Sequence, residues 1–302
     1  KHKGVEITDE ESEAVYLGIV LHDVGHGPFS HTLEHTIVKG VHHEQISEII
    51  MKMLNVEFNG ALDMAIRIFK DTYTSKPFLH QLISSQLDMD RMDYLLRDSF
   101  YTGVNEGVIG AERIINMLNV ANGQLVVEEK GIYSVEKFLV ARRLMYWQVY
   151  LHKTVIAADE LLLAILQRAR FLATSGVPLG SYRPLVHFLG REIDINDFDT
   201  ESLKIYAELD DNDIFTALKS WQYHEDIVLA NLSSNMLHRH LPKIKISTVP
   251  FSQNEVLELR SQAIKRFDLK NESDAEYFVR TGILQNDAYK AEGGGISILR
   301  KD

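Results

Sequence analysis

Leu21-His22-Asp23-Val24-Gly25-His26-Gly27-Pro28-Phe29-Ser30-His31 is the stretch whose reading decides the fold. Upstream of it, apolar residues recur with helical period from Glu10 to Asp23; Thr8 stands at the N-cap, with Glu11 three residues later to complete a capping box. The Gly25/Gly27/Pro28 cluster stops that helix. Downstream, the same periodicity predicts helices over 31–38, 43–54, 60–70 and 77–98, and a very long one over 134–173. Within 117–127, Asn122-Gly123 between two β-prone runs predicts a type I′ hairpin. After Gly176, Pro178, Gly180 and Pro184 the pattern loosens. Helices are expected there near 211–220, 225–239 and 253–266, with strands near Lys243–Thr248 and Ile296–Leu299 and a loop over 291–295. The expectation is a mainly α protein: a helical core over 1–175 with a short β-hairpin, and an α+β C-terminal extension over 176–302 packed on that core.

The 302 residues are 45% hydrophobic and 25% charged, the composition of a soluble globular protein long enough to bury a sizeable core. A formal charge of −11 opposes attraction to phosphate polymers and anionic membranes. Nucleic acid is therefore not expected as the main ligand, although a small anion held by a local basic cluster is compatible. Without cysteine, the chain has no disulfide framework, no thiolate zinc site and no Cys nucleophile. The longest apolar runs, such as Leu161–Leu166, fall well short of the ~20 residues that span a bilayer. No membrane span is expected, and a cytoplasmic location is.

Six of the 13 histidines (His22, His26, His31, His35, His42, His43) lie within 22 consecutive residues, where an even spread puts about one. His22-Asp23 offers an imidazole nitrogen beside a carboxylate oxygen, a pairing that suits Mn, Fe, Ni, Co or Zn, and Mg less well. Alone, such a dipeptide is usually a solvated or locally hydrogen-bonded pair. With His26 and His31 beside it, a metal role gains weight, whereas His35 and His42 lack comparable context.

Two further constellations stand on predicted helices. In Leu87-Asp88-Met89-Asp90-Arg91-Met92-Asp93-Tyr94-Leu95-Leu96-Arg97-Asp98, helical spacing puts Asp90, Arg91, Tyr94 and Asp98 on or near one face. A carboxylate, a cation and a phenol so aligned could ligate metal, hold phosphate and contact a nucleoside. The same face is equally a row of solvated ion pairs. Along the long helix, Arg142, Tyr146, Tyr150 and Lys153 form a stripe of cations and phenols that suits an anionic, ring-bearing ligand, or the amphipathic rim of a packed helix.

Taken in order, HDVGHGPFSH (22–31), His43-Glu44, DMDRMDYLLRD (88–98), Arg142 with Tyr150-Leu151-His152-Lys153, and LDDND (209–213) resemble the HD-domain deoxynucleoside triphosphate triphosphohydrolases, both the bacterial dGTPase-like proteins and the SAM-and-HD-domain enzymes. The resemblance spans roughly residues 14 to 240. It implies an HD-domain helical core, with His22, Asp23 and Asp90 as ligands of a divalent metal ion. It further implies that His26, His31 and His43, with Glu34 as carboxylate neighbour, act around the scissile phosphate. By the same resemblance Arg91, Arg142 and Lys153 hold the triphosphate, and Tyr94, Asp98 and Tyr150 contact the deoxyribose, a tyrosine against the 2′ carbon disfavouring ribonucleotides. A dNTP substrate and a homo-oligomer follow from it as well.

Two departures accompany the resemblance. Arg91 stands where the SAM-and-HD-domain enzymes usually carry Lys. Family members also carry a further histidine ligand some tens of residues before the HD pair, whereas here the only upstream histidine is His2, in surroundings unlike that motif; a segment bearing the ligand is expected to precede Lys1. Three activities stay open: hydrolysis of dNTPs to deoxynucleoside and triphosphate, a nucleotidase or phosphodiesterase reaction on another nucleotide, and a catalytically weak scaffold that senses a nucleotide.

Overall fold

Thr8 opens the first helix as its capping box prescribes. In the computed structural model, which describes residues 3–38, 40–195, 198–284 and 295–300, its hydroxyl accepts from the Glu11 N–H at 3.1 Å, and the Glu11 carboxylate accepts from the Thr8 N–H at 2.8 Å. The helix so capped is α1 (Asp9–Leu21), followed by a 3-10 turn (Ser30–Thr32), α2 (Glu34–Ile37), α3 (His43–Glu57) and α4 (Asp63–Phe69). Next come α5 (Phe78–Ile83), α6 (Met89–Thr102), α7 (Ala111–Met117), the strands β1 (Leu118–Ala121) and β2 (Gln124–Glu128), and α8 (Ile132–Met145). A π-helical turn (Tyr146–Tyr150) leads to α9 (Lys153–Thr174). Then follow α10 (Arg183–Leu189), α11 (Thr200–Ala207), α12 (Asp211–Trp221), α13 (Ile227–Leu237), α14 (Gln253–Phe267) and β3 (Ile298–Leu299). The fold is mainly α with one small sheet, as expected, and among the described residues no helix is long and apolar enough to cross a membrane.

Contacts divide the chain into two compact units, one of Lys1–Gly25, Glu44–His152 and Leu284–Asp302, the other of His26–His43 and Lys153–Ile283. The boundary expected at residue 175 falls inside the second unit, because α9 belongs with the helices that follow it.

In the first unit, Ala14, Met51, Ala65, Ile68, Phe78, Leu79 and Ile83 bring the inner faces of α1, α3, α4 and α5 into one apolar cluster. A second cluster joins α6, α7, β2 and α8 through Met92, Leu95, Ile114, Val127, Phe138 and Met145. Burying such side chains contributes about 1.5–3 kcal/mol each. The hairpin turns at Asn122 (φ 52°) and Gly123 (φ 75°), the left-handed pair that a type I′ turn requires, with Ala121 opposite Gln124. Ile298 then pairs in parallel with Val127, adding β3 to the sheet.

In the second unit α9 packs against α10 and α13, and α12 against α13. Trp221, fully buried, donates from Nε1 to the Leu179 carbonyl at 2.9 Å. Arg168 on α9 clasps Asp226 through Nε and Nη2 (3.0 and 2.6 Å) and Asp274 through Nη1 (2.8 Å).

Three sequence expectations differ from the structure. The helix expected over 77–98 is two helices, because Asp88 accepts from the Ser85 and Arg91 N–H groups at 2.8 and 2.7 Å and so caps a new start at Met89. The helix expected over 134–173 widens into the π turn, where Leu151 N–H bonds to the Tyr146 carbonyl at 2.7 Å, and ends before α9 begins. Lys243–Thr248 forms no strand: it finds no neighbouring strand among the described residues, and β-prone side chains alone do not hold an unpaired strand. The expected loop at 291–294 lies outside the described residues.

Candidate active site

His22 follows the last turn of α1, and its Nδ1 donates to the Ile19 carbonyl at 2.7 Å. That bond fixes the tautomer and turns Nε2 outward as the lone-pair nitrogen. Nε2 lies 3.3 Å from Asp23 Oδ2 and 3.8 Å from Asp90 Oδ1. One ligand atom from each of His22, Asp23 and Asp90 falls within 4.8 Å of the others. Burial, together with the neighbouring Asp88 and Asp23 carboxylates, pushes the Asp90 carboxyl above its ordinary range even though His22 pulls the other way. Carboxylates crowded so closely call for a cation. One imidazole and two carboxylates, with the second imidazole nitrogen already held by a carbonyl, fit a divalent ion of the borderline class.

Asp90 is in the first turn of α6, and the same helix carries the rest of this group. Arg91 is tied back to its own helix start, from Nε to the Ser85 carbonyl at 2.6 Å and to Asp88 Oδ2 at 3.1 Å. Tyr150, on the π turn, donates a 2.6 Å hydrogen bond to Asp98. Its ring stands edge-on to both Tyr94 (6.3 Å) and Tyr146 (5.3 Å). Burial raises the Tyr94 and Tyr150 phenols, and the Asp98 bond raises Tyr150 further, so both stay protonated donors at neutral pH. Arg142 is 1% exposed, and neither Nε nor Nη1 has a hydrogen-bond partner. Structure thus brings together Asp90, Arg91, Tyr94, Asp98, Arg142 and Tyr150. Lys153 opens α9 in the other unit, exposed, so the stripe read along one continuous helix does not exist as such. Asp93 and Arg97, by contrast, form only an exposed i,i+4 ion pair at 2.8 Å.

His26, His31, His43 and Glu34 gather within the second unit. The His26 and His43 rings stack at 3.9 Å, and His31 stands edge-on to both at 4.7 and 5.1 Å. Glu34 accepts from the His43 backbone N–H at 2.7 Å and lies 2.8 Å from His43 Nδ1 and 3.3 Å from His31 Nδ1. Burial alone would raise this carboxyl, but those donors hold it down at about 2. The turn that delivers His31 is strained: Phe29 and Ser30 both take positive φ, 55° and 45°. Asp211 anchors it by accepting the Phe29 N–H at 2.8 Å, and Phe215 meets the Phe29 ring edge-on at 5.6 Å. Gly27 makes room for Tyr206, since a Cβ there would sit 2.5 Å from the Tyr206 hydroxyl and one of the two would have to shift. Sequence reading missed Tyr206, an isolated aromatic whose neighbours Phe188 and Phe198 meet it only on folding.

A helical core carrying a His-Asp pair, completed by an aspartate from a later helix, defines a phosphohydrolase of the HD class. The HD associated region family model matches residues 109–170. A phosphohydrolase from Bacteroides thetaiotaomicron, known from its crystal structure, is similar over 99% of this chain and 74% of its own, with 51% identity and a TM-score of 0.94. This chain belongs to the HD-domain phosphohydrolases. It is 36% identical to the uncharacterized protein YwfO of Bacillus subtilis over 260 residues, 83% of this chain and 56% of that protein. A Dictyostelium discoideum deoxynucleoside triphosphate triphosphohydrolase SAMHD1 homolog is 29% identical over 172 residues, 49% of this chain and 32% of its own. The chain thus spans about half or less of these two curated relatives.

Proposed function

We propose that this chain hydrolyses deoxynucleoside triphosphates to deoxynucleoside and inorganic triphosphate, with His22, Asp23 and Asp90 holding a divalent metal ion. The observation that carries the proposal is Arg142. A guanidinium 1% exposed, with Nε and Nη1 lacking a hydrogen-bond partner, is costly unless an acceptor such as a phosphate oxygen completes it. Asp90, Tyr94 and Asp98 follow one another at four-residue spacing on α6, which aligns a metal ligand, a phenol and a sugar-hydroxyl acceptor along one face. By the resemblance, Tyr150, pinned to Asp98, would pack its ring against the 2′ carbon and so disfavour a ribose hydroxyl.

When bound, a metal ion supplies an acidified water and polarises a phosphoryl oxygen; the imidazole-carboxylate set suits Mn, Fe, Ni, Co or Zn better than Mg. The remaining work falls to side chains. Arg91 and Arg142 offset the triphosphate charge, and the resemblance adds Lys153. Water adds to the α-phosphorus, the bond to the 5′ oxygen breaks, and that oxygen takes a proton. The resemblance assigns the proton to His31, with His26 beside it and the His43/Glu34 pair as the competing acid. It also supports a cytoplasmic homo-oligomer.

The test is to incubate the full chain with each dNTP and Mn or Mg, beside Asp90→Ala, and to separate products by anion exchange. Triphosphate and deoxynucleoside, lost in the variant, support the reading. A nucleoside monophosphate product favours a nucleotidase or phosphodiesterase, and no consumption with any metal favours a nucleotide-sensing scaffold.

A further inference from the structure

The imidazole group of the second unit has a geometry beyond that of proton donors. One nitrogen from each of His26, His31 and His43 lies within 4.8 Å of the others. Glu34 is placed against Nδ1 of both His43 (2.8 Å) and His31 (3.3 Å), so each of those rings would ligate through Nε2. A carboxylate behind a histidine is the arrangement that orients imidazoles and raises their basicity toward a metal ion. The backbone N–H of His43 fixes that carboxylate at 2.7 Å, and the strained Phe29-Ser30 turn fixes the approach of His31. Three imidazoles on one zinc-class ion need nitrogens about 3.3 Å apart, so rings with nitrogens up to 4.8 Å apart have to draw together on binding.

We infer that His26, His31 and His43 form a second divalent-metal site, distinct in its ligands from His22, Asp23 and Asp90. An all-imidazole donor set selects Zn, Co, Ni or Cu over Mg and Ca, which prefer oxygen. A metal ion and a proton exclude each other on the same Nε2. Resting on the reading of His31 as proton donor, occupancy of this site is inhibitory.

The test is equilibrium dialysis of the chelator-stripped full chain against Zn²⁺ with excess Mg²⁺ present, counting tightly bound equivalents. Wild type is expected to bind two, Asp90→Ala one, His43→Gln one, and the double variant none, with circular dichroism confirming that each is folded. Glu34→Gln keeps all three ligands and is expected to weaken the second equivalent about 10–100-fold. Unchanged stoichiometry in His43→Gln, or no zinc on Asp90→Ala, overturns the inference. Two equivalents in Asp90→Ala instead sink the His22/Asp23/Asp90 reading and leave the imidazole site standing. Zn²⁺ that fills this site without slowing Mn-supported turnover sinks the inhibitory role.

Discussion

Tyr150 donates its phenolic proton to Asp98 at 2.6 Å, tying the π turn after α8 to the third turn of α6. The bond fixes both the carboxylate proposed to receive a sugar hydroxyl and the ring proposed to exclude a 2′-hydroxyl. Tyr150→Phe keeps the ring and removes the bond, whereas Tyr150→Ala removes both. Phe is expected to cost about 10-fold in kcat/KM for dNTPs with selectivity against NTPs retained, and Ala is expected to lose that selectivity. Equal selectivity in the two variants would contradict the assignment.

Arg142 sets stability against function. Its buried guanidinium has no hydrogen-bond partner at two nitrogens, so Arg142→Met removes a desolvated charge from a site of similar volume. Thermal stability is expected to rise by the equivalent of about 1–3 kcal/mol while phosphate binding and turnover fall by more than about 100-fold. A variant destabilised and fully active would remove the observation on which the proposed function rests.

Glu34 makes stability depend on acidity. Its carboxyl is held at about 2 against an ordinary 4.5, so it binds fewer protons folded than unfolded near pH 4. The stabilisation is present above pH 4.5 and is lost as pH falls toward 2. Urea midpoints measured from pH 6 to pH 2.5 are expected to fall less steeply in Glu34→Gln than in wild type. Parallel slopes would mean that the imidazoles do not hold this carboxylate.

Gly27 and Tyr206 form a contact pair. Gly27→Ala places a methyl group 2.5 Å from the Tyr206 hydroxyl, which is expected to destabilise the protein by about 1–3 kcal/mol. Tyr206→Phe removes the offending oxygen. The double variant is expected to recover most of the loss in a double-mutant cycle; purely additive effects would show that the contact is not the cause.

What could be read from the sequence was local. Thr8 and Glu11 announce their capping box, Asn122-Gly123 announces its turn, and the family motif names His22, Asp23 and Asp90, whose side-chain atoms the fold gathers within 4.8 Å. What escaped depends on distant partners. No Gly or Pro marks the break at Leu151-His152, where the π turn carries Tyr150 to its bond with Asp98. Lys243–Thr248 reads as a strand and finds no partner, while Ile298 finds Val127. That His26–His43 groups with 153–283 is a property of contacts remote in sequence.

Hydrolysis at the α-phosphorus is tested most directly in ¹⁸O-water with dGTP, dATP, dCTP and TTP, following the label by mass spectrometry. Attack at that atom with cleavage of the bond to the 5′ oxygen puts one ¹⁸O into inorganic triphosphate and none into the deoxynucleoside. Label in orthophosphate, pyrophosphate or a nucleoside monophosphate, or in the deoxynucleoside itself, would contradict it.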